Sequence, residues 1–154
     1  MIKNFLKKLI CIKCYNKLHI KKILINRNRI VNGILTCKIC KANYSISRGV
    51  IDFSNTNKEI ISKIYNNYWN KLPINFNRKE DDKELLYFKK LKTYIKNQIV
   101  FDAGCGDGRS IKTICKYHPK LLICADFTNI IFHTAQKYAI RHKDIPIIFI
   151  KIDL

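Results

Sequence analysis

Acidic residues are missing from the first third of this sequence. Residues 1–51 hold 12 Lys+Arg and no Asp or Glu. Proline (3) and glycine (5) are scarce across the 154 residues, which excludes collagen-like and Gly/Pro-rich low-complexity chains. No apolar run approaches the 18 residues that a membrane-spanning helix needs. The basic, partly apolar start, Met1 to Ile10, lacks a continuous hydrophobic core and a small-residue cleavage site, so it does not read as a secretory signal. The bland reading is an intracellular, reduced, soluble protein, with the cytoplasm as its expected compartment.

What is present is a globular composition. The hydrophobic share is 47%, too high for a disordered chain despite a net charge of +19. A chain of this length forms one domain or two small ones, and as a single unit buries roughly two-thirds of its unfolded surface. Ile (28), Lys (24) and Asn (15) make up 67 residues, a bias that AT-rich codons alone would produce. The charge total is therefore weak evidence for a polyanionic partner. Its placement says more: 12 bases to no acid in 1–51, 10 to 6 in 52–98, and 8 to 5 in 99–154.

Seven cysteines cannot all pair within one chain. Four form two CxxC elements, Cys11-Ile12-Lys13-Cys14 and Cys37-Lys38-Ile39-Cys40, separated by 22 residues. A two-residue spacer lets both thiolates of a knuckle reach one ion about 2.3 Å away, and two knuckles complete a tetrahedron. Cys11, Cys14, Cys37 and Cys40 are thus the expected zinc ligands. A pair of disulfides in an oxidising compartment is the alternative. Cys105, Cys115 and Cys124 read as small core or loop hydrophobes. His19, His118, His133 and His142 show no ligand spacing and read as surface or helix-end residues.

Three segments follow. Residues 1–53 predict a short helix carrying Phe5, Leu6, Leu9 and Ile10 into the first knuckle. Strands are expected over Leu18 to Ile25 and Arg29 to Thr36, with a polar turn at Asn26, Arg27 and Asn28 between them. Asn32-Gly33 reads as a turn or a bulge. Tyr44-Ser45-Ile46 and Val50 to Phe53 complete a zinc ribbon, in which the metal supplies much of the folding energy. Residues 54–98 predict a helical connector. Its first helix has Ile60, Ile64 and Tyr68, and Ile61, Tyr65 and Trp69, at four-residue spacing, and Pro73 ends it. Its second carries the stripe Leu85, Phe88, Leu91, Ile95 behind Glu80, Asp81, Asp82 and Glu84, acids that favour the positive end of the helix dipole. The aromatic group Tyr65, Tyr68, Trp69 reads as packing contacts before it reads as a ligand platform.

Residues 99–154 alternate: a strand at Ile99-Val100-Phe101, a helix from Ser110 to Tyr117, a strand from Leu121 to Ala125, a helix from Asn129 to Arg141, and a strand from Ile147 to Ile152. That order predicts βαβαβ and a parallel sheet. Between the first strand and helix stands Asp102-Ala103-Gly104-Cys105-Gly106-Asp107-Gly108-Arg109. Strand, GxGxG loop, helix is the context of a nucleotide-type site, because the glycines let the backbone approach a ligand. Arg109 replaces the third glycine of the dinucleotide fingerprint, and the Walker A Lys-Ser/Thr is absent. Asp126 follows the second strand, where a carboxylate can accept two hydrogen bonds from a ribose diol. Asp153 follows the third. Asp107 explains itself as a turn residue, and Asp144 has no functional reading.

Two resemblances rest on these residues. Lys3 to Leu18, the second CxxC and Tyr44-Ser45-Ile46-Ser47-Arg48-Gly49-Val50-Ile51 resemble the small zinc-ribbon proteins that activate methyltransferases. Ile12 and Ser45 stand where that family has Pro. The run Val100 to Gly108 is similar to the first motif of class I S-adenosylmethionine-dependent methyltransferases. That resemblance implies an α/β fold in which a small zinc ribbon precedes the first βαβαβ half of a Rossmann-like methyltransferase sheet. It implies that Gly104, Cys105, Gly106 and Gly108 line the methionine part of S-adenosylmethionine, that Asp102 helps place its amino group, and that Asp126 and Asp153 hold the ribose hydroxyls and the adenine amino group. The resemblances cover about residues 3–53 and 65–154. The family sheet has strands beyond the third, so the expectation is a cofactor-binding half without catalytic residues. Strand Ile99 to Asp102 would then be an edge, leaving the 154-residue chain inactive, weak in cofactor binding and prone to self-associate. The rival expectation is a non-catalytic zinc-ribbon module that binds RNA or a protein partner.

Overall fold

The computed structural model describes residues 2–26, 29–54, 59–71, 82–141 and 144–153. The Arg27-Asn28 part of the expected turn, Pro73, Glu80, Asp81, His142 and the side chains of Ile60, Ile61, Trp69 and Leu85 lie outside the described residues.

A one-turn helix, α1 (Ile2–Leu6), precedes four strands: β1 (Leu18–Asn26), β2 (Arg29–Cys37), β3 (Asn43–Ser47) and β4 (Val50–Asp52). Helices α2 (Glu59–Lys71), α3 (Asp82–Lys90) and α4 (Lys92–Ile95) follow. Then come β5 (Ile99–Ala103), α5 (Arg109–Lys116), β6 (Leu121–Asp126), α6 (Ile130–Arg141) and β7 (Ile147–Lys151). The second connector helix is broken at Leu91, so its expected stripe spans α3 and α4, with Ile95 buried and Phe88 and Leu91 half-buried.

All seven strands form one mixed sheet, in the order β1-β2-β3-β4-β7-β6-β5. β1 to β4 are an antiparallel meander. β5, β6 and β7 are parallel to one another. The join is β4, which pairs parallel to β7 with Val50 opposite Phe149 and Asp52 opposite Lys151. Phe53 N extends the ladder by donating to Lys151 O at 2.8 Å.

Every residue of β6 is buried, as a central parallel strand covered on both faces requires. Its side chains alternate between two apolar clusters. Leu122 and Cys124 join Val50, Ile111, Ile114, Ile131 and Phe149 beneath α4, α5 and α6. Leu121, Ile123 and Ala125 join Ile148 and Ile150 and the buried side chains of the meander and α1, among them Leu6, Leu35 and Ile51. Ile10, expected in the helix stripe, instead forms an isolated bridge with Lys17 and is exposed, because α1 stops at Leu6. Among the described residues β5 forms one edge of the sheet. Val100 is half-buried against the helices, while Ile99 and Phe101 are 59% and 53% exposed on the other face.

Asn32-Gly33 is not a turn, but a bulge adjoins it: Leu24 pairs with Asn32 and Ile25 with Ile30, so Val31 is an extra residue of β2 directly before the pair, while a second irregularity, between Ile20 and Lys22, leaves Lys21 of β1 unpaired in the register. Gly33 is there for close approach. A Cβ at this position would stand 2.6 Å from Lys22 O and 3.3 Å from Ile23 Cα. Backbone cannot yield as a flexible side chain does. Gly33→Ala should therefore lower stability by about 1–3 kcal/mol, read as a shifted urea midpoint. An unchanged midpoint would mean that β1 can move aside freely.

Candidate functional site

The two CxxC elements fold alike. Cys11 N donates to Asn16 O at 2.7 Å and Cys37 N to Ala42 O at 2.9 Å, each closing the same six-residue loop. The residue after each second cysteine is left-handed: Tyr15 at φ 58° and Lys41 at φ 61°. A non-glycine residue rarely adopts this conformation, and its recurrence marks a turn that both knuckles need. The β1–β2 hairpin places Leu18 opposite Cys37, which brings the knuckles together.

The four Sγ atoms lie within 4.8 Å of one another and can hold one metal ion. Cys11–Cys40 and Cys14–Cys37 are each 3.5 Å apart, and no disulfide links them. Four sulfurs 2.3 Å from one ion would be about 3.8 Å apart, so the donor set fits zinc. Cys11 and Cys37 are buried and Cys40 is exposed. Tyr44 Oη stands 3.1 Å from Cys11 Sγ. Burial pushes the Cys11 thiol up, but the Tyr44 hydroxyl and the N–H groups of Lys13 and Cys14 outweigh it and bring it to about 6. The hydroxyl is then the donor. Cys14 is lowered by the backbone and side-chain amides of Asn16. At Cys40 the Ala42 N–H pulls down, yet burial and the neighbouring sulfurs push the thiol up to about 12. A bound divalent ion overrides this division, because coordinated thiols are deprotonated. Tyr44 is a contributor that spacing does not reveal; only the β3 register brings it under Cys11.

The second candidate lies at the carboxyl ends of β5, β6 and β7. Gly104 (φ 78°), Gly106 (φ 50°) and Gly108 (φ 78°) are all left-handed, which carries the chain from β5 into α5. Gly104 N and Cys105 N donate to Ala125 O at 2.8 and 3.0 Å, folding the loop over the end of β6. Gly106 O accepts from Thr134 Oγ1 of α6 at 2.8 Å. Gly108 has no room for a side chain: a Cβ would meet Thr134 Cγ2 at 2.6 Å and Tyr138 Cε2 at 2.7 Å. Gly104 is the open one, with nothing within 4 Å of its would-be Cβ.

The acids are not equivalent. Asp126 is 5% exposed and already engaged. Its Oδ2 accepts from Gly106 N at 2.8 Å, and its Oδ1 accepts from Thr128 N at 2.8 Å and Thr128 Oγ1 at 2.6 Å. Asp102, half-buried, accepts from Ser110 Oγ at 2.7 Å. Burial raises its pKa above the ordinary carboxylate range and the nearby Asp126 charge adds to this, against the pull of the Ser110 hydroxyl. Asp153 is exposed just beyond β7, where Ile152 N bonds Asp126 O at 3.0 Å. Asp107 pairs with Arg109 Nε at 3.3 Å. Cys105, Cys115 and Cys124 are buried, as expected of small hydrophobes. Tyr65 of α2 meets Phe127 edge-on at 5.1 Å, and Asn66 Oδ1 accepts from Asn129 N, so α2 borders the same strand ends. Thr128 was legible as an Asx-type turn partner two residues after Asp126; Thr134 carried no sequence signal.

The Asp126 contacts give it a structural load separate from any ligand. Asp126→Ala should cost about 1.5–3 kcal/mol of stability without any added ligand, measured by urea unfolding. A variant as stable as the parent would show that the glycine loop stands without it. No protein-family model, no curated protein and no solved structure matches the chain.

Proposed function

We propose that this chain carries a structural zinc ribbon joined to the S-adenosylmethionine-binding strands of a methyltransferase with a Rossmann-like sheet. The observation that carries the reading is the loop of three left-handed glycines between β5 and α5, with acids ending β5 and β6 and following β7 on one edge of the sheet. Open parallel sheets bind nucleotides at that edge.

The residues divide the work. Gly104 leaves the backbone bare where a ligand can approach. The N-cap of α5 is Gly108, which has no side chain to cap the helix; Ile111 N is taken by Gly108 O at 3.1 Å, and the amides of Arg109 and Ser110 are those that would meet the carboxylate of an amino-acid moiety. Asp102 lies beside this turn and can receive an amino group. Asp126 uses three acceptor positions, one on Gly106 of the loop and two on Thr128, and a carboxylate offers about four. A ribose hydroxyl would use the remaining position or exchange with Thr128. Bound S-adenosylmethionine supplies an electrophilic methyl group on a sulfonium. What the chain contributes is positioning, which carries most of the rate in such displacements.

The engagement of Asp126 by Gly106 and Thr128 also favours a second reading, a non-catalytic module in which the loop serves packing alone. Calorimetry separates the two. The cofactor reading expects saturable binding of S-adenosylmethionine or its demethylated product, weakened by Gly104→Val; no heat from either compound supports the module. For the metal, elemental analysis should find about one zinc per chain, and a chelator should loosen residues 1–53, since thiolate sites supply folding energy. A folded meander with free thiols and no metal would overturn the ribbon.

A further inference from the structure

The register of the sheet has a consequence for the basic segment. Thr36 pairs with Asn43, Ile46 with Ile51, Asp52 with Lys151, and Lys151 with Asp126. Read across these pairs, the two knuckles lie on the same edge of the sheet as the carboxyl ends of β7, β6 and β5. Five strand spacings separate β2 from β5, about 24 Å at 4.8 Å each.

The knuckle end of that edge is basic and unusually bare. Lys13, Lys17, Lys38 and Lys41 are all exposed there, with no acid in the first 51 residues. Tyr15 is 75% exposed and Ile39 67%, both on the knuckles themselves. Two formal negative charges on a tetrathiolate zinc site would call for about two of these lysines, and more are present. Beside the first knuckle opens a groove of about 400 Å³ lined by Ile12, Lys13, Ile34, Asn43, Ser45 and Asp52. Its amide, hydroxyl and carboxylate groups are of the kind that read a base edge, and Tyr15 is an exposed ring on which a base can stack.

We propose that the knuckle face of Lys13, Tyr15, Lys38 and Lys41, with the adjoining groove, docks single-stranded RNA and directs it along the edge toward the glycine loop. That the RNA is the methyl acceptor rests on the methyltransferase reading; the docking does not. Lysines neutralise phosphates, Tyr15 takes a base face, and the groove takes a base turned out of the strand. Double-stranded RNA would not offer that base, because its edges are locked in pairs.

The test is fluorescence anisotropy with a labelled 15-nucleotide oligouridylate and the zinc-loaded full chain, across a salt series, with no S-adenosylmethionine present. Binding should strengthen as salt falls. The triple variant K13Q/K38Q/K41Q should bind about ten-fold more weakly, with a log–log salt slope reduced by about 2. The control K89Q/K90Q/K92Q, on α3 and α4, removes the same charge and should change affinity less than two-fold. Tyr15→Ala should weaken binding about five-fold or more with little change of salt slope. Zinc content and urea midpoint are measured on each variant, and Tyr15→Phe, which keeps the ring, should restore binding if a zinc-loaded Tyr15→Ala loses it. Equal losses in both triple variants, or equal competition by polyglutamate, would overturn the proposal in favour of unspecific charge or an acidic protein partner. Absence of cofactor heat with RNA binding intact would sink the methyltransferase reading alone.

Discussion

The ladder between β4 and β7 is the constraint on which the rest depends. Three residues of β4 lie parallel to β7, and this short contact turns a cysteine-bearing meander and a parallel βαβαβ unit into one sheet. Val50 faces the cluster under the helices while Ile51 faces the cluster of the meander, so one dipeptide contributes to both cores. Arg29 reinforces the join from β2 by donating to Tyr138 O of α6 at 2.8 Å, and the Arg48 guanidinium lies 5.0 Å from the Phe132 ring centre. A small thiolate module has too little core to stand alone. Here it shares one.

The same ladder aligns chemistry that is distant in sequence. The knuckles close at the end of β2 and the start of β3; the glycine loop leaves the end of β5. Because β4 is parallel to β7, these ends fall on one side of the sheet. An antiparallel join would have put the thiolates at the amino ends of β5 to β7, away from the acids.

Asp126 shows how a residue can satisfy a motif and yet be claimed by the fold. Its position at the carboxyl end of β6 is the one at which a ribose-binding carboxylate belongs. In three dimensions the carboxylate ties Gly106 and Thr128 together behind the loop. Burial makes those bonds strong, since an unpaired charge there would be costly. Gly104 and Gly108 divide in a similar way: one faces open space and the other is pressed against α6. Equal letters in a GxGxG pattern thus serve approach at one end and packing at the other.

Local pattern determined a good deal. The two CxxC spacings are short-range geometry, so the four sulfurs could be named before any fold was known. The alternation of apolar runs and helical stripes marked β5 to β7, α5 and α6 within a residue or two, because burial on both faces leaves a continuous apolar run such as Leu121 to Ala125. Gly33 was visible as an anomaly; no turn lies there, the bulge falls just before it at Val31, and the meaning of Gly33 itself lies in Lys22 O, which approaches from another strand. Ile10 fitted a helical stripe and is exposed, because the stripe outlasts the helix. Tertiary structure alone decided that the sheet is continuous, that Tyr44 supports Cys11, that Thr134 holds Gly106, and that Asp126 binds Gly106 N. Each is a contact across large sequence separation. Spacing along a chain encodes which residues neighbours in a turn or strand can present; it does not encode which strand will lie beside which, and the β4–β7 pairing settles that.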